Sequence, residues 1–111
     1  MVDIEQLKYE IVEKLKPLDP DKVILFGSYA YGTPNEDSDI DLFLVKDTLD
    51  ENTQDNYELE ANRQISDLIY KHKIGFDLLS ASTDYLNQRE DYFYKVDILQ
   101  NGKVLYERNS S

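Results

Sequence analysis

Three acids, a glycine and a serine carry the chemistry this sequence can do. Asp39 and Asp41 stand in Asp39-Ile-Asp-Leu-Phe-Leu-Val45, a run with strand alternation. Residues two apart on a strand share a face, so the two carboxylates point the same way, with Cα atoms about 6.6 Å apart at roughly 3.3 Å per residue. Ile40, Leu42 and Leu44 take the opposite face and bury. Like charges side by side repel, and a hard divalent cation with oxygen ligands offsets that repulsion. By itself an Asp-x-Asp pair also describes a solvent-facing strand end. Upstream, Gly27-Ser28 follows the apolar run Lys22-Val-Ile-Leu-Phe26. Glycine permits close backbone approach to a ligand, and free N–H groups at a strand-to-helix turn, with a hydroxyl, make a phosphate cradle. Alone, the same pair reads as an ordinary turn with Ser28 as helix cap. Together, phosphate donors at one strand end and metal ligands on the next strand are the parts that phosphoryl or nucleotidyl transfer needs.

Asp77 is the third acid. It interrupts the apolar run Ile74-Gly-Phe-Asp-Leu-Leu79 and shares a face with Gly75 and Leu79. A carboxylate in such a strand requires a cation, a donor or water. If this strand flanks the Asp39–Val45 strand, three carboxylates meet; otherwise Asp77 pairs with Lys71, Lys73 or a backbone donor. Tyr29 and Tyr31 either stack on a base or pack against the sheet. Other signatures fail: there is no P-loop ending, no Gly-x-Gly-x-x-Gly, no complete calcium loop, and His72 is the only histidine.

The elements that must position these residues follow from periodicity. Ile4, Leu7, Ile11 and Leu15 predict a helix stopping near Lys16, before Pro17 and Pro20. Strands are expected over 22–26, 39–45 and 74–79. A loop is expected over 28–38, with room for one helical turn at its start, and a long helix runs from about Thr53 to His72. Leu86, Phe93, Val96 and Leu99 suggest helix from about Thr83 to Gln100, with Asn101-Gly102 as its cap and Lys103-Val-Leu-Tyr106 as an edge strand or docked tail. The expected fold is α/β (α+β), a small mixed sheet with helices packed against it, as one domain over residues 1–111.

Composition narrows the partners. The chain of 111 residues carries 23 acids and 12 bases, a formal charge of −11, and the excess is spread along both halves. Such a chain is repelled by phosphate backbones, so direct nucleic-acid binding is disfavoured, whereas a basic protein partner is compatible. Cysteine is absent, which fits a reducing cytoplasm, and no apolar run approaches a membrane span or a secretory signal.

Gly27-Ser28, ten residues, then Asp39-Ile-Asp41 resembles the signature of the DNA polymerase beta nucleotidyltransferase superfamily, in its minimal nucleotidyltransferase branch. The resemblance covers most of the chain. It implies that Gly27, Ser28 and the adjoining Ser38 bind the nucleotide, and that Asp39 and Asp41 bind magnesium. Asp77 would be the third catalytic and metal-binding carboxylate. Relatives commonly carry a basic residue beside the position of Ala30; here Tyr29 and Tyr31 stand there, and residues 28–38 hold no Arg or Lys. Neutralising a triphosphate then falls to magnesium, backbone N–H groups and a base from elsewhere, such as Lys46. Members of this branch are often encoded beside a HEPN-domain RNase toxin, for which they are the antitoxin, and can transfer AMP from ATP to a toxin tyrosine. The resemblance implies the same activity here; an acidic antitoxin acting by binding alone is the alternative.

Overall fold

Asp3 begins the first helix by accepting a hydrogen bond from the Glu5 N–H, which satisfies one of the donors a helix start leaves free. The structure is a computed structural model and describes residues 3–108. Helix α1 (Ile4–Leu15) buries Leu7, Ile11 and Leu15 along one stripe. Pro17 ends it in a short 3₁₀ turn, and Asp19 takes a left-handed conformation that redirects the chain. Strand β1 (Lys22–Phe26) follows, then the one-turn helix α2 (Ser28–Tyr31) and strand β2 (Ile40–Val45). Helix α3 (Gln54–His72) crosses over to strand β3 (Phe76–Ala81). Helix α4 (Thr83–Gln88), capped by the Ser82 hydroxyl, precedes a π-helical segment, Phe93–Ile98, and strand β4 (Lys103–Glu107).

The four strands lie in the order β3-β2-β1-β4. β1 runs antiparallel to β2 and β4, while β2 and β3 are parallel, the arrangement a helical crossover requires. The expected mixed sheet is therefore present, and residues 103–107 form a true edge strand. Among the described residues, no helix is long and apolar enough to cross a membrane.

Alternation divides the sheet residues between two cores. Val23, Leu25, Ile40, Leu42, Leu44 and Leu78 face α1 and α3. Ile24, Phe26, Phe43, Val45 and Ala81 face the other way, under Leu86, Phe93, Tyr94 and Ile98. Phe93 meets Phe26 edge-on with centroids 5.5 Å apart, and Tyr94 meets Phe43 at 6.1 Å. Asp41 precedes Phe43 on this second face, so the face is apolar at one end and acidic at the other. Phe43 is fully buried, and Phe43→Ala is expected to cost about 3–5 kcal/mol through lost burial and a cavity. Urea unfolding measures this as a lowered midpoint with an unchanged slope.

Two expectations shift. The third strand starts at Phe76 and ends at Ala81, two residues later than its apolar run suggested. The expected helix from Thr83 to Gln100 is broken: Arg89 is extended, and the chain re-enters helix in π form, with Leu99 N–H donating to Tyr94 O at 3.2 Å and Asn101 N–H to Val96 O at 2.8 Å. The wider turn brings Phe93, Tyr94 and Ile98 onto one face, which a 3.6-residue turn does less well.

Candidate active site

The strand register puts Phe26 opposite Asp41, and Asp41 opposite Asp77. Residues directly opposite on neighbouring strands share a face, so Asp41 and Asp77 project side by side from strands about 4.8 Å apart. Their carboxyls lie close enough for the neutral form of Asp41 to hydrogen-bond Asp77. Burial, then the charge and hydrogen bond of Asp77, then the charge of Asp39, push the Asp41 carboxyl up to about 6. Asp41 thus feels both other acids, and β3 flanks β2.

Two of the three carboxylates, Asp41 and Asp39, rest on glycines. Gly27, at φ 76°, lies directly against Asp41: a Cβ there would overlap the carboxylate oxygen Oδ2 and lie 3.1 Å from Cγ. Asp39, one residue ahead of β2, lies against Gly75, where a Cβ would be 2.6 Å from its Oδ1. The same segment is pinned by the Ile40 N–H, which donates to Gly75 O at 2.9 Å. Sequence reasoning placed Gly75 on the face of Asp77 and gave it no role; its signal was a glycine two residues before an acid, on the acid's face.

Gly27, not Ser28, caps α2, and its carbonyl accepts from the Ala30 and Tyr31 N–H groups at 3.0 and 3.1 Å. The Ser28 and Tyr29 amides have no partner among the described residues. With a single helical turn, these amides rather than a helix dipole are what the corner offers an anion. Ser38 is occupied locally: its hydroxyl accepts from Asn35 N–H at 2.9 Å and holds the turn leading into Asp39.

The remaining candidates separate. Tyr29 is buried in the helix-side core, while Tyr31 is exposed and donates from its hydroxyl to Asp97 at 2.9 Å, a bond that raises its own pKa. Lys46 does not serve the site. It follows Val45, whose partner is Lys22 at the far end of the sheet from the Phe26–Asp41 pair, and it bonds the Asp19 carbonyl at 2.9 Å. His72 ends α3 with Nε2 2.8 Å from Glu10 Oε2. A cavity of about 600 Å³ is lined by Tyr29, Asn35, Glu36, Lys71, Lys73 and Ile74 among others, and by none of the three acids. It adjoins the site through the 35–38 turn. Closely set carboxylates impose a chemical demand that empty volume does not.

Among the described residues, no three His, Cys, Asp or Glu side chains form a ready cation cage. Asp41 and Asp77 instead face each other across neighbouring strands, with Asp39 standing beside Gly75. An all-oxygen set of facing carboxylates suits a hard divalent cation such as magnesium, whose charge would offset their repulsion. The raised Asp41 group has a consequence for stability. Between its unfolded value near 3.8 and about 6 the folded chain holds the extra proton. The group's contribution is therefore complete below the unfolded value and lost as pH rises through about 6. In metal-free buffer, the wild-type chain is expected to lose stability relative to Asp41→Asn between pH 4 and 7, measured as the difference in urea midpoints.

The sequence profile described as Polymerase beta, Nucleotidyltransferase matches residues 9–111. A Methanocaldococcus jannaschii protein named as a protein adenylyltransferase is 38% identical over 101 residues, covering 84% of this chain and 94% of its own. A second from that organism, likewise named, is 31% identical over 85 residues, 77% of each chain. The fold resembles a crystal structure from Sulfolobus solfataricus named as a nucleotidyltransferase (TM-score 0.63, 20% identity, 95% of this chain and 80% of that one). It also resembles a chain of a toxin–antitoxin crystal structure with AMP-PNP (TM-score 0.60, 24% identity, 91% and 73%). With the profile match spanning nearly its whole length, this chain belongs to the polymerase beta nucleotidyltransferase family.

Proposed function

We propose that residues 1–111 form a single magnesium-dependent nucleotidyltransferase domain that moves AMP from ATP to a tyrosine hydroxyl of a partner HEPN RNase toxin, and so acts as its antitoxin. The observation that carries this reading is the row Phe26–Asp41–Asp77, which sets Gly27 and two acids side by side. Relatives named as protein adenylyltransferases support AMP and a protein acceptor, and likeness to a toxin–antitoxin structure with AMP-PNP supports the toxin partner. The absence of cysteine fits a reducing compartment, and we place the chain in the cytoplasm.

In this reading Gly27 lets the backbone approach the triphosphate, and the Ser28 amide and hydroxyl bond it. Ser38 contributes through the turn it builds with Asn35. Magnesium, held by Asp39, Asp41 and Asp77, supplies the positive charge that the 28–38 loop lacks. The acceptor hydroxyl oxygen bonds to the α-phosphorus, the bond from that phosphorus to the β-bridging oxygen breaks, and pyrophosphate leaves. Asp77, on the exposed side of the pair, takes the hydroxyl proton. Incubated with ATP, magnesium and the protein that co-purifies with it, the chain is expected to add the mass of one AMP per acceptor. No gain on a verified partner contradicts the reading.

The charge of −11 and the absence of Arg and Lys from residues 28–38 favour a second reading, an acidic antitoxin that neutralises its partner by binding alone. The Asp39→Asn/Asp41→Asn double variant separates the two. Full neutralisation of the toxin in cells supports binding alone, and restored toxicity supports catalysis.

A further inference from the structure

We propose that the acceptor protein docks as an extended strand on the open edge of β3, with its hydroxyl-bearing residue opposite Asp77. The inference rests on the transferase reading and adds how the acceptor is held. β3 is an edge strand that carries one of the acids. Its pairing with β2 runs unbroken from Ile40–Phe76 to Val45–Ala81. Ile40 N–H donates to Gly75 O and Lys46 N–H to Ala81 O, so the odd-numbered residues of β3 turn their backbone groups toward β2. Those of Phe76, Leu78 and Ser80 then point outward. At Ser80 the edge is covered by α3: its carbonyl accepts from Gln54 Nε2 at 2.6 Å, its hydroxyl donates to Glu58 Oε2 at 2.6 Å, and the residue is 3% exposed, so the free outward groups are those of Phe76 and Leu78, on either side of Asp77. Unpaired edge groups are a template for a further strand.

The opposite edge is guarded. β4 meets β1 through a register shift between Val23 and Ile24 and is flanked by Lys103 and Glu107. A bulge and charged ends of this kind discourage strand addition, and β3 has neither a bulge nor a Lys or Pro. A strand laid on β3 would set the side chain opposite Asp77 on the acid face, with β carbons about 4.5–5.5 Å apart. Leu79, 40% exposed on the same face, would meet the residue two places along, which favours an apolar neighbour to the acceptor hydroxyl. The acids of the site and the overall charge of −11 favour a basic flank.

A basic peptide with one central tyrosine between valines probes this directly. With peptide, magnesium and ATP, amide exchange at Phe76 and Leu78 is expected to slow at least tenfold, while the amides of Asp77 and Leu79, already bonded to β2, do not change. Methylating the peptide's backbone nitrogens one at a time is expected to weaken binding at alternate positions only. Slowed exchange confined to β4, unchanged exchange at the outward amides, or no alternation in the methyl scan overturns the proposal. The same slowing without peptide, rising with protein concentration, assigns the edge to a second copy and also overturns it. Slowed exchange and alternation without AMP transfer would leave the docking intact and count against the transferase reading alone.

Discussion

Asp41→Asn is expected to lower nucleotidyl transfer on the order of 10³-fold while leaving the fold as stable as before or more so. The two effects have opposite signs for one reason. Asp41 is held against Asp77 and near Asp39 in a partly buried position, so its ionised form is disfavoured in the metal-free chain. Removing that charge relieves repulsion, and the amide can donate to Asp77. The same charge is what a bound cation needs. Its loss removes roughly 4 kcal/mol of transition-state stabilisation, at about 1.4 kcal/mol for each tenfold in rate. Rate with a verified acceptor and melting temperature without metal, measured on one preparation, check both halves. A structural acid would show destabilisation with activity lost in proportion.

Gly27→Ala is expected to have the next largest effect, on activity and stability together. The backbone there has φ 76°, and the added methyl overlaps the Asp41 carboxylate. At φ 76° and ψ −158° the backbone lies in a region essentially reserved for glycine, which costs a side chain about 1–3 kcal/mol, and displacing Asp41 from its place beside Asp77 lowers transfer on the order of 10²-fold or more. Gly32 gives the comparison for positive φ alone. It is also at φ 76°, but in the ordinary left-handed helical conformation (ψ 22°), with open space where its Cβ would go. Gly32→Ala should therefore carry a smaller, purely backbone cost, with turnover near wild type once folded. Equal losses of turnover in the two variants would mean that strain, not contact with Asp41, sets the effect.

Much of the site was legible because strand alternation is strict. The spacing of Asp39 and Asp41 and the interruption of an apolar run at Asp77 follow from side-chain parity alone. That Asp41 and Asp77 lie directly opposite each other did not follow, because register between strands separated by a whole helix is set by packing. The support of Asp39 by Gly75 depends on the same register. Lys46 looked available from its place in the chain and was lost to direction: β2 carries it away from the acids along the length of the strand. The break at Arg89 had no glycine or proline to announce it. Phe93 and Tyr94, adjacent in sequence, both pack against the sheet, on Phe26 and Phe43, and tertiary packing overrode helical propensity there.

A crystal structure with magnesium and a non-hydrolysable ATP analogue tests the central claim most directly. Magnesium held by Asp39, Asp41 and Asp77 is expected there, with phosphate oxygens within hydrogen-bonding reach of the Ser28 amide. A nucleotide seated instead in the cavity lined by Tyr29, Lys71 and Lys73, with no cation at Asp41, would contradict it.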